Sequence, residues 1–259
     1  MMRLLGVAAA LVFGSIGAAQ ADKVTECTGT GFCYCTNTDL RGAIQQKISD
    51  IRAAIAAQHA AGKAVGYLSI PISSVAGSYF GENIKVAAEA KERVEERLGV
   101  HAAWLLNTAA KEFSLPASAT GADYMLMWTN VLEGLDGLGD FDFVYFVGPS
   151  EFSRHFGLDG KADLEKLEAY YDAMAKTDAD LKKIDRRAFR DYYGLRASVA
   201  FSLGAHDEWD IVKAINQKRI ADAKFGIPKQ IGVFFDAAAV QPGALESAVA
   251  AGSAGACRD

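Results

Sequence analysis

Beyond its first eighteen residues the chain lacks any apolar run long enough to span a bilayer, so no membrane-embedded body is expected. It also lacks an excess of cations. The 27 Lys and Arg are outnumbered by 32 Asp and Glu, for a net charge of −5. An acidic, well-mixed surface argues against a nucleic-acid partner, because phosphate backbones are met by clustered Lys and Arg. No G-x-G-x-x-G follows a strand and there is no Walker A lysine, so dinucleotide and NTP readings lose their main support. H-E-x-x-H and G-x-S-x-G are absent too. Histidine is sparse, at four residues, and none lies close in sequence to Cys33-x-Cys35. That spacing alone is a poor ligand set, so no metal and no organic cofactor is expected.

What is present begins with a leader. One cation, Arg3, precedes an apolar and small-residue run over 4–18 and then Ala19-Gln20-Ala21, the order of a secretory signal peptide with its A-x-A cleavage site. Residues 22–259 are then expected to form a single domain, periplasmic or secreted. The four cysteines, Cys27, Cys33, Cys35 and Cys257, read as two disulfides in an oxidising compartment. Three pairings are open, and each ties Cys257 to the N-terminal cluster, so the ends of the mature chain should meet.

The segment 22–38 reads as irregular. Asp39 is expected to cap a helix over 39–61, with Leu40, Ile44, Ile48, Ile51 and Ile55 on one stripe. A buried strand over 65–70 stops at Pro71. A helix over 83–98 turns Ile84, Ala87, Val94 and Leu98 inward. Strands over 100–106 and 141–147 flank a helix over 123–135. From 150 to 194 the pattern is helical, charged and aromatic, and reads as an insertion. A possible extended segment over 196–203 precedes a long helix over 205–225 and a last strand over 230–235. A weak helix is expected in the Ala/Gly-rich tail from 243. Alternating strands and helices imply right-handed βαβ units. The fold class expected is therefore α/β, a flavodoxin-like or Rossmann-like parallel sheet with helices on both faces.

Open parallel sheets bind ligands at the carboxyl ends of their strands. The stretch Gly204-Ala205-His206-Asp207-Glu208-Trp209 places two carboxylates and an imidazole at a helix start, where the helix dipole favours ionised acids. Such acids are also ordinary helix-start stabilisers. His59 and His101 read as structural, and His155 as part of an exposed turn. Tyr170-Tyr171 and Tyr192-Tyr193 read as packing residues, and the basic run 182–187 as a solvated helix face.

The series Tyr67-Leu-Ser-Ile-Pro71, Asp142-Phe-Val-Tyr-Phe-Val147, Gly204-x-x-x-Glu208 and Phe225-Gly-Ile-Pro228 resembles the nucleoside 2-deoxyribosyltransferase superfamily over about 65–149 and 200–236. The resemblance implies that Glu208 is a nucleophile forming a glycosyl-enzyme. It implies that Tyr67, Ser69 and Pro71 line the base and sugar pocket, together with Gly204 and His206. Asp123 lies at the start of the helix that carries the family's proton-donating acid. At the closest spacing match Trp128 stands where that acid is expected, so Asp123 is the remaining catalytic candidate and Trp128 a pocket residue. The insertion would form a lid over the pocket or replace partner contacts. The expected function is thus an exported N-glycoside-processing transferase or hydrolase acting on a small nucleoside-like substrate. Nothing in the composition bars a homo-oligomer. The alternative is a non-catalytic exported α/β protein that binds a ligand or partner.

Overall fold

The computed structural model describes residues 22–72, 76–222, 229–240 and 255–257. The expected leader, the 225–228 match and the expected tail helix lie outside them. Within them the architecture is a mixed α/β fold with a five-stranded, mostly parallel sheet of order β4-β3-β5-β6-β7. Strands β3 (Ala64–Ser69), β4 (Ala103–Asn107), β5 (Phe143–Phe146) and β6 (Gly232–Phe235) run parallel, and the two-residue β7 (Ala238–Ala239) closes one edge antiparallel. This is the Rossmann-like or flavodoxin-like class. β3 lies between β4 and β5, and the chain reverses its direction of progress across the sheet there, at the switch point between β3 and β5.

Side-chain alternation along each strand divides the core in two. One face packs against α1 (Arg41–Ala60), α3 (Gly121–Glu133) and α7 (Leu203–Asp222), and it holds Val65, Tyr67, Val144 and Phe146. The other packs against α2 (Phe80–Leu98) and holds Leu68, Leu105, Phe143 and Tyr145. Gly66 faces this second side, where a methyl group would stand 2.3 Å from the Phe143 ring. Its missing side chain is what lets that ring lie across β3. In α1 the stripe Ile44, Ile48, Ile51 and Ile55 is buried as its spacing predicts.

Several local expectations are corrected. Segment 22–38 is not irregular. It forms an antiparallel hairpin, β1 (Lys23–Cys27) and β2 (Cys33–Asn37). Its Thr and Cys content suits extended backbone, and α3 anchors it. Glu133 accepts hydrogen bonds from Thr28 Oγ1, Thr30 Oγ1 and the Gly29 and Thr30 amides. Tyr34 Oη and Thr129 Oγ1 pair at 2.7 Å. Asp39 does not cap α1 but sits in a short 3₁₀ turn, Thr38–Leu40. In α2 the buried stripe is Val86, Ala87, Ala90 and Val94, whereas Leu98, the last residue of the helix, is 46% exposed. Residues 196–203 form no strand; Val199–Phe201 is a 3₁₀ turn.

The 150–194 region is helical, as α4 (Pro149–Phe156), α5 (Asp163–Met174) and α6 (Arg186–Leu195). It packs on the α2 side through a cluster of rings that includes Phe152, Phe156, Phe189 and Tyr193, with Phe156 and Phe189 each 4.6 Å from Tyr193. His155 is not in an exposed turn. It lies in α4, buried between Glu82 and Glu89 of α2 at 2.9 Å from each. Those carboxylates hold its imidazole above the ordinary histidine value, although burial opposes them.

The two disulfides are Cys27–Cys33, across the hairpin, and Cys35–Cys257, which ties β2 to the segment around Cys257. They span 6 and 222 residues respectively. Closing the longer loop restricts the unfolded chain by about 5 kcal/mol and the shorter by about 2 kcal/mol on the chain-entropy scale. Replacing Cys35 and Cys257 together by Ser is therefore expected to lower the unfolding free energy more than replacing Cys27 and Cys33. Urea denaturation of the two double variants checks the order, and equal losses would contradict it.

Candidate active site

Tyr67 and Ser69 are two residues apart on β3, so both side chains leave the sheet on the α7 face. There they meet the same carboxyl group. Tyr67 Oη donates to Glu208 Oε1 at 2.6 Å and Ser69 Oγ donates to Glu208 Oε2 at 2.5 Å. Tyr67 and Ser69 are fully buried and Glu208 is only 6% exposed. Tyr67 is fixed in turn by edge contacts with Trp128 at 5.8 Å and Phe141 at 5.4 Å. Neighbouring Trp209 packs 4.9 Å from Phe146 and pins α7 to the sheet.

The helix-start expectation for Glu208 is corrected here. Because α7 begins at Leu203, Glu208 belongs to its second turn rather than its first. The dipole there no longer dominates. Burial pushes the Glu208 carboxyl up to about 7, Asp207 beside it pushes the same way, and the Ser69 and Tyr67 hydroxyls oppose both. Tyr67 is raised well above the ordinary phenol value, chiefly by burial and then by Glu208.

Glu208 borders a cavity of about 540 Å³. It opens where the chain leaves β3 and β4, at Ile70 and Thr108, against α3 and the start of α7. That is the crevice at the carboxyl ends of a parallel sheet, beside the switch point. Phe113, Tyr124, Met125 and Trp128 supply its inner apolar wall, and Phe80, Phe201 and Leu203 stand exposed around the rim. Thr108 Oγ1 is held by the Leu68 carbonyl at 2.9 Å.

Of the residues singled out from sequence, Glu208, Trp128 and Gly204 border this cavity. Tyr67 and Ser69 do not line it. They stand behind Glu208, because their hydroxyls are taken up by its carboxylate. Pro71 is buried with its carbonyl accepting from Asn83 Nδ2, outside the lining. Asp123 is fully buried and serves a capping box. It accepts from the Thr120 amide and hydroxyl and from the Asn37 amide and side chain, at 2.7–2.9 Å. The cavity wall passes it by. His206 also lies outside the lining, with Nδ1 3.7 Å from Asp210 Oδ2. No described lining residue comes from 150–194, so the insertion is no lid on this cavity. The residues that sequence reasoning missed are Phe80, Phe113, Tyr124, Met125 and Phe201. Only Tyr124 and Trp128, at helical i, i+4 spacing, carried a local signal.

Among the described residues no cluster of three or more His, Cys, Asp or Glu could hold a metal ion, and no helix is long and apolar enough to cross a membrane. No family model, curated protein or solved structure matches the chain.

The raised Glu208 carboxyl has a consequence for stability. Below pH 4.5 the group is protonated both folded and unfolded. Between 4.5 and about 7 the folded state holds a proton that the unfolded state has released, so stability falls as pH rises through that window. The loss amounts to about 3 kcal/mol at one proton. Glu208→Gln removes it. Its unfolding free energy is expected to gain on the wild type by about 3 kcal/mol between pH 4.5 and pH 8. Urea unfolding at the two pH values checks this, and a pH-independent difference would contradict it.

Proposed function

We propose that this protein is an exported N-glycoside-processing enzyme, similar in chemistry to the nucleoside 2-deoxyribosyltransferases, with Glu208 as nucleophile. One observation carries the reading: a buried carboxylate, aimed by two hydroxyls, on an aromatic cavity at the carboxyl ends of the sheet. Residues 67–71, 142–147 and 204–208 carry the sequence resemblance. The two disulfides support export, with residues 1–21 as the leader.

A Glu208 oxygen bonds to the anomeric carbon while the carbon–nitrogen bond breaks and its electron pair goes to the departing base. Tyr67 and Ser69 hold the carboxyl in one orientation, so the attacking oxygen loses little freedom on reaction. Water or a second base then displaces the sugar and regenerates the carboxylate. The aromatic wall receives the base. Asp207, which disfavours ionisation of Glu208, makes its charged form more reactive once formed.

A second reading has its own support. Both Glu208 oxygens already accept a hydrogen bond, and no other described lining residue carries a carboxyl. That arrangement also suits a non-catalytic binder.

Attack requires the ionised carboxyl, so base release is expected to rise with pH and level off above about 7. Glu208→Gln is expected to lose roughly 10³-fold or more in kcat/KM while remaining folded. Chromatographic assay of free base from a panel of nucleosides checks both. A wild type that binds these compounds without cleaving any of them would leave the binder reading in place.

A further inference from the structure

Once ionised, Glu208 places on the cavity a negative charge that no cationic residue among the described lining matches. Glu208 is the one carboxyl among its described lining residues, and none of those residues is Lys, Arg or His. Asp207, also buried, adds to the negative potential at Glu208. The rest of the inner wall is largely apolar and aromatic, through Phe113, Tyr124 and Trp128. An ionised carboxyl in such surroundings is stabilised by a counter-charge, and aromatic rings favour organic cations over neutral molecules of the same shape.

The leaving group points the same way. With Glu208 committed as nucleophile, no second carboxyl or imidazole among the described lining residues remains to protonate a departing base. A base that is already cationic needs no proton.

We infer that the substrate is an N-glycoside whose base bears a fixed positive charge, a pyridinium riboside or an N7-alkylated purine nucleoside, without phosphate. The inference rests on the reading of Glu208 as glycosyl acceptor. In the step a Glu208 oxygen bonds to C1′ as the C1′–N bond breaks. The bonding pair settles on the ring nitrogen, cancels its positive charge, and the base leaves neutral. Water then attacks C1′, its proton passes to solvent and the carboxylate is restored, so each turnover releases one proton. Phosphorylated forms fit poorly, because no lining cation meets a phosphate.

The test compares nicotinamide riboside and 7-methylguanosine with inosine and thymidine at pH 8, following base release. Binding of 1-methylnicotinamide and of neutral nicotinamide is measured by calorimetry on the wild type and on Glu208→Gln. Cationic glycosides are expected to be cleaved with about 100-fold higher kcat/KM than neutral ones. 1-Methylnicotinamide should bind about tenfold or more tightly than nicotinamide, with the preference lost in Glu208→Gln. Equal cleavage of neutral and cationic glycosides overturns the substrate class and leaves the glycosyl-enzyme reading standing. Cleavage of neither class overturns both, and 1-methylnicotinamide binding no tighter than nicotinamide overturns the charge argument directly.

Discussion

A carboxyl group held at both oxygens by hydroxyls from a single strand constrains much of this structure. For Tyr67 and Ser69 to reach Glu208 together, β3 must present alternate residues to α7, and α7 must lie against the sheet at one rotation about its axis. Trp209 packing on Phe146 fixes that rotation, and Tyr67 wedged between Trp128 and Phe141 fixes the hydroxyl. The arrangement is unfavourable for the charged acid, which burial raises to about 7. Functional sites commonly hold such perturbed groups in clefts.

The two faces of the sheet divide the work. On the α1, α3 and α7 side lie the cavity and its carboxyl. On the α2 side lie the inserted helices, with rings packed around Phe189 and an ionic knot of His155, Glu82 and Glu89. In that knot carboxylates are met by a histidine, and Glu82 also by Lys85. Glu208, by contrast, is met only by the neutral hydroxyls of Tyr67 and Ser69. On α3, Asp123 and Glu133 both anchor the N-terminal hairpin, and they too are met by neutral hydroxyl and amide donors.

The sequence made the layered sheet legible because its strands are continuous apolar runs between amphipathic helices, as in Ile44, Ile48, Ile51 and Ile55 of α1. Glu208 was legible through its setting after Gly204. The partners were only partly so: Tyr67 and Ser69 stood out as pocket residues, but period-two geometry makes them supports of the carboxyl instead. The hairpin over 23–37 was hidden, since its strands are short and polar and depend on disulfides and α3. The aromatic wall was hidden because Phe80, Phe113, Tyr124 and Phe201 come from separate segments and only folding assembles them. His155 looked exposed beside Arg154, since its glutamate partners lie more than sixty residues earlier.

The protonation state of Glu208 tests this account most directly. Difference infrared spectroscopy of the wild type against Glu208→Gln isolates the stretch of one buried carboxyl. A protonated-acid band present at pH 6 and titrating away with a midpoint of about 7 is the result predicted. A carboxyl already fully ionised at pH 5 would contradict it, because the group would then not be held in the desolvated setting that the proposed role as nucleophile requires.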